Sequence, residues 1–290
     1  MKRRLLSMLA ALALGASALA VGVPAASADG HLGAPYVALG DSEAAGTGNM
    51  PYVDQQCLRS KKSYPLLLAG GFGGVDSRAC AGADTTDVLG QAAMADLGLA
   101  TQLVTITAGV NNLDWQAVLA ACSSGGTPTD CLEAQAGIPA ALATIPGGIA
   151  QLLGAVRAAA PNAMIVVTGY PELFGTVTDS CSVGAFQGAP VKFTAQQTMA
   201  VNQGIALVNQ AIQAGIAAYQ AAFTGQFGSA DPAVTYVDVA AVFDGHGLCD
   251  TGDRWISGLA SGKPVADRGF HPNVSGQQAL AAAIAGALPQ

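Results

Sequence analysis

The chain alternates short, continuously apolar runs with longer segments in which apolar residues recur every three or four positions. The short runs are rich in β-branched residues, and Gly, Asp, Asn or Pro closely follows most of them, as is typical of buried parallel strands. They occur at Tyr36–Leu39, Leu103–Thr107, Met164–Thr168 and Val234–Val239. This pattern predicts four strands that are covered on both faces.

The segments between these runs predict helices. Thr194–Phe223 has one apolar face and a glutamine-rich opposite face, which is typical of a surface helix that covers a sheet. A second helix is predicted over Ile149–Ala159 because Pro161 stops it. A third follows Pro272, with Ser275 as its N-cap. Strands that alternate with helices predict an α/β fold, a three-layer sandwich with a mostly parallel, doubly wound sheet between helices.

The N-terminal 28 residues have the three parts of an export signal. Lys2–Arg4 is positively charged, Leu5–Val23 is almost wholly apolar, and Ala26–Ala28 is a small-residue cleavage site. We expect cleavage after Ala28 and one domain over residues 29–290, with an uncleaved membrane anchor as the alternative. The predicted location is therefore extracellular, without stable membrane insertion.

Composition excludes two classes of protein. Of the 290 residues, 51% are hydrophobic and 11% are charged, which excludes a disordered chain. The 12 basic and 19 acidic residues give a net charge of −7, which provides no basic surface for a phosphate backbone, so nucleic-acid binding is excluded. Removal of the export signal takes away three basic and no acidic residues, so the net charge becomes −10.

The six cysteines predict disulfides, because an even number in an exported chain favours pairing over metal binding or free thiols. Cys122 and Cys131 bracket a turn-rich run that suits a small closed loop, but the sequence alone does not choose among the possible connectivities. The three histidines are not clustered with carboxylates at ligand spacing. We therefore expect no metal and no organic cofactor.

Polar residues that follow the predicted strands supply the parts of an acyl-transfer site. In a doubly wound sheet, ligands bind beyond the carboxyl ends of the strands. Ser42 follows the first strand, Asn111 follows the presumed third strand at Leu103–Thr107, and His271 lies in the last segment. Each alone fits a turn residue, a helix cap or a surface histidine. Together they provide a nucleophile, an amide donor for an oxyanion and a general base.

Four blocks in chain order resemble the SGNH hydrolase superfamily, also called the GDSL esterases and lipases. The similarity is strongest to its secreted actinobacterial lipase and phospholipase-like branch. The blocks are YVALGDS at Tyr36–Ser42, ACAGA at Ala79–Ala83, TITAGVN at Thr105–Asn111 and FHPN at Phe270–Asn273. The resemblance implies a flavodoxin-like order of strands in the sheet.

The resemblance also implies a role for each matching residue. Ser42 would be the nucleophile and His271 the base and then the acid. The oxyanion hole would consist of the Ser42 and Gly82 backbone N–H groups and the Asn111 side-chain amide. The implied disulfides are Cys57–Cys80, Cys122–Cys131 and Cys181–Cys249.

The chain departs from the family pattern beside the nucleophile and after the block asparagine. Glu43 stands where the family mostly has a bulkier apolar or aromatic residue, which places an acid next to Ser42. Asn112 stands where an aspartate commonly follows, so it is the register alternative to Asn111 as the amide donor.

A third departure concerns the group that orients the catalytic histidine. The family's usual acid lies three residues before the histidine, where this chain has Arg268, and Asp267 lies one residue earlier. Either Asp267 reaches the imidazole or a main-chain carbonyl near Gly269 orients it, and the carbonyl is favoured because Nδ1–H needs only an acceptor. His246 is the rival candidate for the base.

These features predict a secreted carboxylic ester hydrolase that acts through an acyl-enzyme, with a lipid-derived acyl ester as the substrate. A short-chain or carbohydrate deacetylase on the same scaffold is the first alternative. A secreted binding protein without catalysis is the second, because a fold does not determine a function. We expect a monomer.

Overall fold

The predicted alternation of strands and helices is present in the computed structural model, which describes residues 31–186, 188–259 and 269–289. The predicted export signal, Asp267 and Arg268 lie outside the described residues. The strands are β1 (Tyr36–Gly40), β2 (Tyr52–Asp54), β3 (Arg59–Ser60), β4 (Asp76–Ser77), β5 (Leu103–Thr107), β6 (Met164–Thr168), β7 (Ser180–Phe186), β8 (Ala189–Thr194) and β9 (Val234–Val237). The helices are α1 (Ser42–Ala45), α2 (Tyr64–Leu68), α3 (Thr85–Met94), α4 (Trp115–Ala121), α5 (Pro128–Gln135), α6 (Ile138–Leu142), α7 (Ile145–Ala159), α8 (Ala195–Phe227), α9 (Val239–Val242) and α10 (Val274–Gly286), with 3₁₀ turns at Ala69–Phe72 and Val110–Asn112.

Five parallel strands form the central sheet in the order β4-β1-β5-β6-β9. Counted along the chain, this order is 2-1-3-4-5, so the predicted doubly wound, flavodoxin-like sandwich is confirmed. Every residue of β1 and β5 is buried, as expected for strands with helices on both faces. The direction of winding reverses between β1 and β5, and a crevice at their carboxyl ends is the usual ligand site of such sheets.

Alternate residues of β1 separate the two apolar layers. Val37 and Leu39 pack in one cluster, while Tyr36 and Ala38 pack in the other, because successive side chains of a strand point to opposite faces. Helices α3, α7 and α8 cover the first face. Helices α2, α9 and α10 cover the second face.

The longest helix, α8, follows its sequence signals at both ends. Its N-cap is Thr194, whose side chain accepts the Gln197 backbone N–H, while the Gln197 side chain accepts the Thr194 N–H. It runs past the predicted end at Phe223 and stops before Gly228, which adopts the left-handed conformation. Helix α7 likewise begins before the predicted Ile149, because a proline in its first turn is compatible with a helix start.

Two further predicted boundaries were wrong. The N-cap of α10 is Asn273 rather than Ser275, because the Asn273 side chain accepts a backbone N–H of the first turn at 3.1 Å. Strand β9 ends at Val237 instead of Val239, because Asp238 accepts the first free N–H groups of α9 and starts that helix. In both places the side chain that caps a helix sets the boundary.

The structure contains three disulfides in the pairing that the resemblance implied. Cys57–Cys80 links the segment after β2 to the segment after β4, Cys122–Cys131 links α4 to α5, and Cys181–Cys249 links β7 to the loop after α9. Such bonds persist in oxidising compartments, which agrees with an exported protein.

Among the described residues, no single helix is long and apolar enough to cross a membrane. One bent pair, Pro128–Leu142 with Ile145–Ala159, meets the criteria of length and composition together. One face of α7 is nevertheless buried in the apolar layer that α7 forms with α3 and α8.

Candidate active site

Strand β1 ends in a tight turn that carries the chain into α1 at Ser42. Gly40 has a φ of 147°, and a Cβ atom there would lie 2.5 Å from the Thr107 carbonyl oxygen, so the close contact of β1 and β5 requires glycine. Asp41 caps α1 by accepting the Glu43 N–H at 2.9 Å. The turn therefore fixes Ser42, whose side chain is almost fully buried, at the carboxyl edge of the sheet.

Ser42 and His271 lie far apart in sequence and form a direct hydrogen bond. The Ser42 Oγ atom is 2.9 Å from Nε2 of His271, and Nδ1 is 3.0 Å from the Gly269 carbonyl oxygen. A carbonyl oxygen only accepts, so Nδ1 carries its hydrogen and the Nε2 lone pair faces the serine hydroxyl. This arrangement can take the hydroxyl proton as the oxygen attacks a carbonyl carbon.

Two side-chain amides join the nucleophile segment to the histidine segment. Gln277, fully buried in α10, donates to the Glu43 carbonyl oxygen at 2.9 Å and accepts the Tyr64 N–H at 2.7 Å. Asn49 donates to the Pro272 carbonyl oxygen at 2.8 Å. These two amides therefore link the segment that carries Ser42 to the segment that carries His271.

Asn111 follows β5, and two partners fix the orientation of its side-chain amide. Its Oδ1 accepts the indole N–H of Trp115 at 2.9 Å, and its Nδ2 donates to the Ala83 carbonyl oxygen at 3.1 Å. An amide nitrogen carries two hydrogens, so the second can donate to a substrate oxygen. The Trp115 indole also meets the His271 ring edge-on, with ring centroids 5.9 Å apart. Asn111 and the imidazole are thus linked through one side chain.

Asn112, the register alternative, has its amide engaged elsewhere. Its Nδ2 donates to the hydroxyl oxygens of Thr85 and Thr144, both at 2.9 Å, and its Oδ1 accepts the Thr85 N–H at 3.2 Å. Both amide hydrogens therefore join the start of α3 to the start of α7. This geometry favours Asn111 over Asn112 as an amide donor to a ligand.

Gly82 lies in a loop that the neighbouring strand and a disulfide hold in place. The Cys80 N–H donates to the Gly40 carbonyl oxygen at 2.9 Å, and the Ala81 N–H donates to the carbonyl oxygen of Cys57, the disulfide partner of Cys80, at 3.1 Å. Gly82 itself has a φ of 85°, which favours glycine, and a Cβ atom there would meet no atom of the described residues within 4 Å. Gly82 is exposed.

Comparisons with known proteins agree with this geometry. The model of the GDSL-like Lipase/Acylhydrolase family matches residues 38–279. The chain belongs to the GDSL-like lipase/acylhydrolase family. It is therefore a carboxylic ester hydrolase, and the resemblance read from the four sequence blocks is confirmed.

The relatives of this GDSL-like hydrolase include secreted and solved proteins of Streptomyces. A lipase from Streptomyces rimosus is 32% identical over 272 residues, which cover 92% of this chain and 89% of the relative. Lipase 1 from Streptomyces coelicolor is 30% identical over 281 residues, 94% of each chain. The crystal structure of phospholipase A1 from Streptomyces albidoflavus NA297 has a TM-score of 0.69 at 29% identity and covers 88% of this chain and 100% of that chain. The extracellular lipase from Streptomyces rimosus has a TM-score of 0.61 at 30% identity, with 87% and 99% covered.

The departure at Glu43 places a buried acid next to Ser42 in this GDSL-like hydrolase. The Oε2 atom of Glu43 has no hydrogen-bond partner among the described residues. Burial, and then the charge of Asp41, raise the pKa of Glu43 well above its usual value. Burial also raises the pKa of Asp41, to about 7, although the Tyr170 hydroxyl donates to its Oδ2 at 2.5 Å. The raised pKa favours the neutral form of Glu43, which carries no negative charge next to Ser42.

The other two histidines contact groups outside this constellation. The His246 ring stacks on Trp255 with centroids 3.5 Å apart, and its Nδ1 lies 2.6 Å from the Asp253 carbonyl oxygen. His31 Nε2 lies 2.7 Å from an Asp96 carboxylate oxygen. In the part of the chain that the structure describes, no group of three or more His, Cys, Asp or Glu side chains could hold a metal ion.

Two apolar cavities lie on either side of Trp115. The histidine-side cavity, of about 620 Å³, is lined by residues that include Phe193 and Phe270. The α8-side cavity, of about 410 Å³, is lined by residues that include Val208. Trp115 and Leu119 belong to both walls. Both volumes lie within the range of small-molecule sites, about 300–1,000 Å³.

Sequence reasoning missed three residues that shape the site: Trp115, Gln277 and Asn49. A local signal existed for Trp115, which lies four residues after Asn111, because residues at this spacing lie close together in helical turns. No local signal existed for Gln277 or for the bond from Asn49 to Pro272, because these partners are more than 200 residues away. A glutamine or asparagine links two distant segments only when the fold brings its hydrogen-bond partner close.

Proposed function

We propose that the protein is a secreted serine hydrolase that cleaves lipid-derived acyl esters through an acyl-enzyme, with Ser42 as the nucleophile and His271 as the general base. The observation that carries the proposal is the 2.9 Å hydrogen bond between Ser42 Oγ and His271 Nε2. A neutral hydroxyl is a weak nucleophile, and a base within hydrogen-bond reach activates it.

In the first half-reaction, the Ser42 oxygen bonds to the ester carbonyl carbon while His271 Nε2 takes the hydroxyl proton. The carbonyl oxygen becomes an oxyanion, for which the Ser42 and Gly82 N–H groups and the Asn111 amide are the donors. When the tetrahedral intermediate collapses, the bond to the alkoxy oxygen breaks and the imidazolium gives that oxygen its proton. An alcohol leaves, and the acyl group remains on Ser42.

In the second half-reaction, water replaces the alcohol. His271 takes a proton from water as the water oxygen attacks the acyl carbon, and it returns a proton to Ser42 Oγ as the acyl bond breaks. A carboxylic acid leaves. The Gly269 carbonyl oxygen accepts the Nδ1–H throughout, so we assign the orientation of the ring to this carbonyl rather than to Asp267.

The two apolar cavities that Trp115 lines support a lipid-derived substrate. The walls of both cavities are mostly aliphatic or aromatic, and such surface favours burial of an acyl chain. The net charge of −10 that remains after loss of the export signal gives no attraction to anionic membranes. We therefore expect neutral or zwitterionic esters to be preferred, and we expect the enzyme to act as a monomer.

The export signal ends after Ala28 in this proposal. His31 already belongs to the folded domain, because its carbonyl oxygen accepts the Leu99 N–H at 3.0 Å. Cleavage after Ala28 would leave a short extension before this contact. The intact mass of the exported protein measures the cleavage site directly, and a mature chain that begins elsewhere would contradict it.

Hydrolysis of 4-nitrophenyl acyl esters from acetate to long-chain acids tests the function, with oxidised mature protein and Ser42→Ala side by side. We expect turnover by the wild type, preference for chains longer than acetate, and loss of turnover in Ser42→Ala. Turnover confined to acetate would support the deacetylase alternative. Absence of turnover together with absence of labelling by a serine-reactive phosphonate would support a binding protein.

A further inference from the structure

The nucleophile and the amide donor follow two different strands, and the hydrogen bonds of the sheet stop before both residues. Strands β1 and β5 are paired as far as Gly40 and Thr107. Beyond this last pair, the chain runs on to Ser42 after one strand and to Asn111 after the other. Oxyanion donors act at about 2.7–3.1 Å, so the rate depends on the distance between these two residues. Contacts outside the sheet therefore set that distance.

The Tyr170 hydroxyl joins the two segments through a single oxygen atom. It donates to Asp41 Oδ2 at 2.5 Å, and it accepts the Val110 N–H at 3.2 Å. Asp41 directly precedes Ser42, and Val110 directly precedes Asn111. An ionised carboxylate only accepts hydrogen bonds and a backbone N–H only donates them, so a hydroxyl is suited to bridge the two.

Tyr170 reaches both groups from the far side of β5. It follows β6, and β5 lies between β6 and β1 in the sheet. Neighbouring strands are about 4.8 Å apart, so about 10 Å separates β6 from β1. The long side chain of Tyr170 and the shorter side chain of Asp41 span this gap together, beyond the end of β5. The ends of three strands are thereby connected.

Helix α8 holds the main chain of Tyr170 in this position. The Asn209 side chain accepts the Tyr170 N–H at 2.8 Å and donates to the Tyr170 carbonyl oxygen at 2.9 Å. Tyr170, Asp41 and Asn209 are all buried, so water competes little for these bonds. Burial, and then the charge of Asp41, raise the pKa of Tyr170 well above its usual value, so the hydroxyl keeps its hydrogen.

We propose that Tyr170 is a positioning residue for ester hydrolysis, because its hydroxyl fixes the distance between the nucleophile Ser42 and the oxyanion donor Asn111. The tyrosine acts through Asp41 and Val110, its two bonded partners. This proposal rests on the proposed function and adds the side chain that ties the nucleophile segment to the oxyanion segment. A tyrosine with a structural role alone would contribute to stability and not to kcat.

Tyr170→Phe tests this role, because it removes the bridging oxygen and keeps the ring. The assay is hydrolysis of the 4-nitrophenyl acyl ester that the wild type turns over fastest. We expect kcat to fall about tenfold, because the oxyanion donor loses its fixed position. We expect KM to change by less than about threefold, because the oxyanion exists only in the transition state and the tetrahedral intermediate.

Tyr219→Phe is the matched control. The Tyr219 hydroxyl also donates to a buried aspartate, because it lies 2.6 Å from Asp231 Oδ2. Asp231 precedes β9, so this pair lies at the edge of the parallel sheet opposite to Ser42. Tyr219→Phe should lower the thermal midpoint of unfolding and leave kcat within about threefold of the wild type.

The coupling between Tyr170→Phe and Asn111→Ala separates positioning from a structural role. If the tyrosine acts by placing the Asn111 amide relative to Ser42, its loss should matter only while that amide is present. We therefore expect the double variant to keep the kcat of Asn111→Ala within about threefold. Two independent losses would multiply and place the double variant about tenfold below Asn111→Ala.

Circular dichroism and the thermal midpoint establish that each variant is folded. If Tyr170→Phe is unfolded, Asn209→Ala takes its place, because it removes both bonds that hold the Tyr170 main chain; the same loss of kcat and the same coupling are expected.

The proposal is overturned if the folded variant keeps kcat within about threefold of the wild type, if Tyr219→Phe lowers kcat equally, or if the two losses multiply. A wild type without ester turnover, or Asn111→Ala with undiminished kcat, contradicts the proposed function itself and the positioning role with it. That result is distinguishable, because it appears before any substitution of Tyr170.

Discussion

The two sides of the active site are built in opposite ways. On the side of α1, buried side-chain amides hold the backbone in place. Gln91, for example, accepts the Gly40 N–H at 2.8 Å and donates to the Gly40 carbonyl oxygen at 2.9 Å. On the side of α4, α5 and α6, Leu119 is the only residue of the three helices, all of them described, that is buried. One side is fixed by directional bonds, and the other is shaped by apolar surface.

This difference matches two different physical requirements. Proton transfer and oxyanion stabilisation depend on distances of about 3 Å, and misplacement by about 1 Å costs up to about a hundredfold in rate. Binding of an apolar chain depends on buried area and volume, which tolerate small displacements. The polar side should therefore control kcat, and the apolar side should control the choice of substrate.

Of the substitutions on the two sides of the site, loss of the Asn111 amide should lower kcat the most. Asn111→Ala removes one proposed oxyanion donor, so we expect kcat to fall by about 10² to 10³ fold. Asn112→Ala is the matched control, because its amide bonds Thr85 and Thr144 and should cost about 1 kcal/mol of stability with kcat changed by less than about threefold. Steady-state kinetics and urea unfolding measure the two effects. Equal losses of kcat in the two variants would contradict the assignment of the donor.

Removal of the two side-chain hydrogen bonds of Gln277 should have the next largest effect on kcat. Gln277→Met keeps the side-chain volume but loses the bonds to Glu43 and Tyr64, so we expect kcat to fall by about 10-fold to 100-fold with KM nearly unchanged, because the nucleophile and base lose their relative position. Gln277 is a positioning residue in this account, and Gln277→Glu, which keeps an acceptor for Tyr64, should recover part of kcat.

The chain offers a matched control for the Gln277 substitution. The Gln220 side chain, like that of Gln277, donates one hydrogen bond to a backbone carbonyl oxygen and accepts one from a backbone N–H. Both groups belong to Asp231, at 2.9 Å and 2.7 Å. Gln220→Met should therefore destabilise the fold to a similar extent without lowering kcat. If both variants lower kcat in proportion to their loss of stability, Gln277 has only a structural role.

Substitution of Asp267 should have a small effect. If the Gly269 carbonyl oxygen orients His271, Asp267→Asn should lower kcat by less than about tenfold, because the imidazole keeps its acceptor. Steady-state kinetics across the pH range measure this. A loss of about a thousandfold or more would identify Asp267 as a triad acid, since losses of that size follow removal of such an acid.

Glu43 should affect stability rather than turnover. Its pKa is raised in the folded protein, so the folded state binds its proton more tightly than the unfolded state. The free energy of unfolding should therefore fall as the pH rises from the usual pKa of glutamate through the raised value. Glu43→Gln should remove this part of the slope, measured by urea unfolding of the oxidised protein at pH 5 and pH 9. The pKa of Asp41 is raised to about 7, so Asp41 should make the free energy of unfolding of both proteins fall with rising pH up to about that value. Identical slopes in both proteins would contradict a buried neutral Glu43.

The parts of the fold that follow from local pattern were predictable. Strands β1, β5 and β6 are buried apolar runs, and the capped helix α8 has a long apolar face, so their existence and order could be read from the sequence. The two-residue edge strand β4 and the β7–β8 hairpin were not predicted. Strand β4 is too short for a periodic signal, and the residues of β7 and β8 have no strict alternation.

The candidate site was predictable to the extent that its residues sit in short motifs. Ser42, Gly82, Asn111 and His271 each lie in a block with a family resemblance. The amides of Gln277 and Asn49 act across more than 200 residues, and the two cavities arise from side chains on several elements, so neither has a local pattern. The reacting groups of the polar side could therefore be predicted from the sequence, whereas the two apolar cavities could not.

The most direct test of the central claim is to label the oxidised mature protein with a 4-nitrophenyl alkylphosphonate and to locate the adduct by peptide mass spectrometry. A phosphonate of this type takes the place of the ester and leaves a stable bond to an activated serine oxygen. We expect one adduct per chain on Ser42, no adduct in Ser42→Ala, and slow labelling in His271→Ala because the base is missing. An adduct on any other residue, or ester hydrolysis that persists without labelling of Ser42, would contradict it.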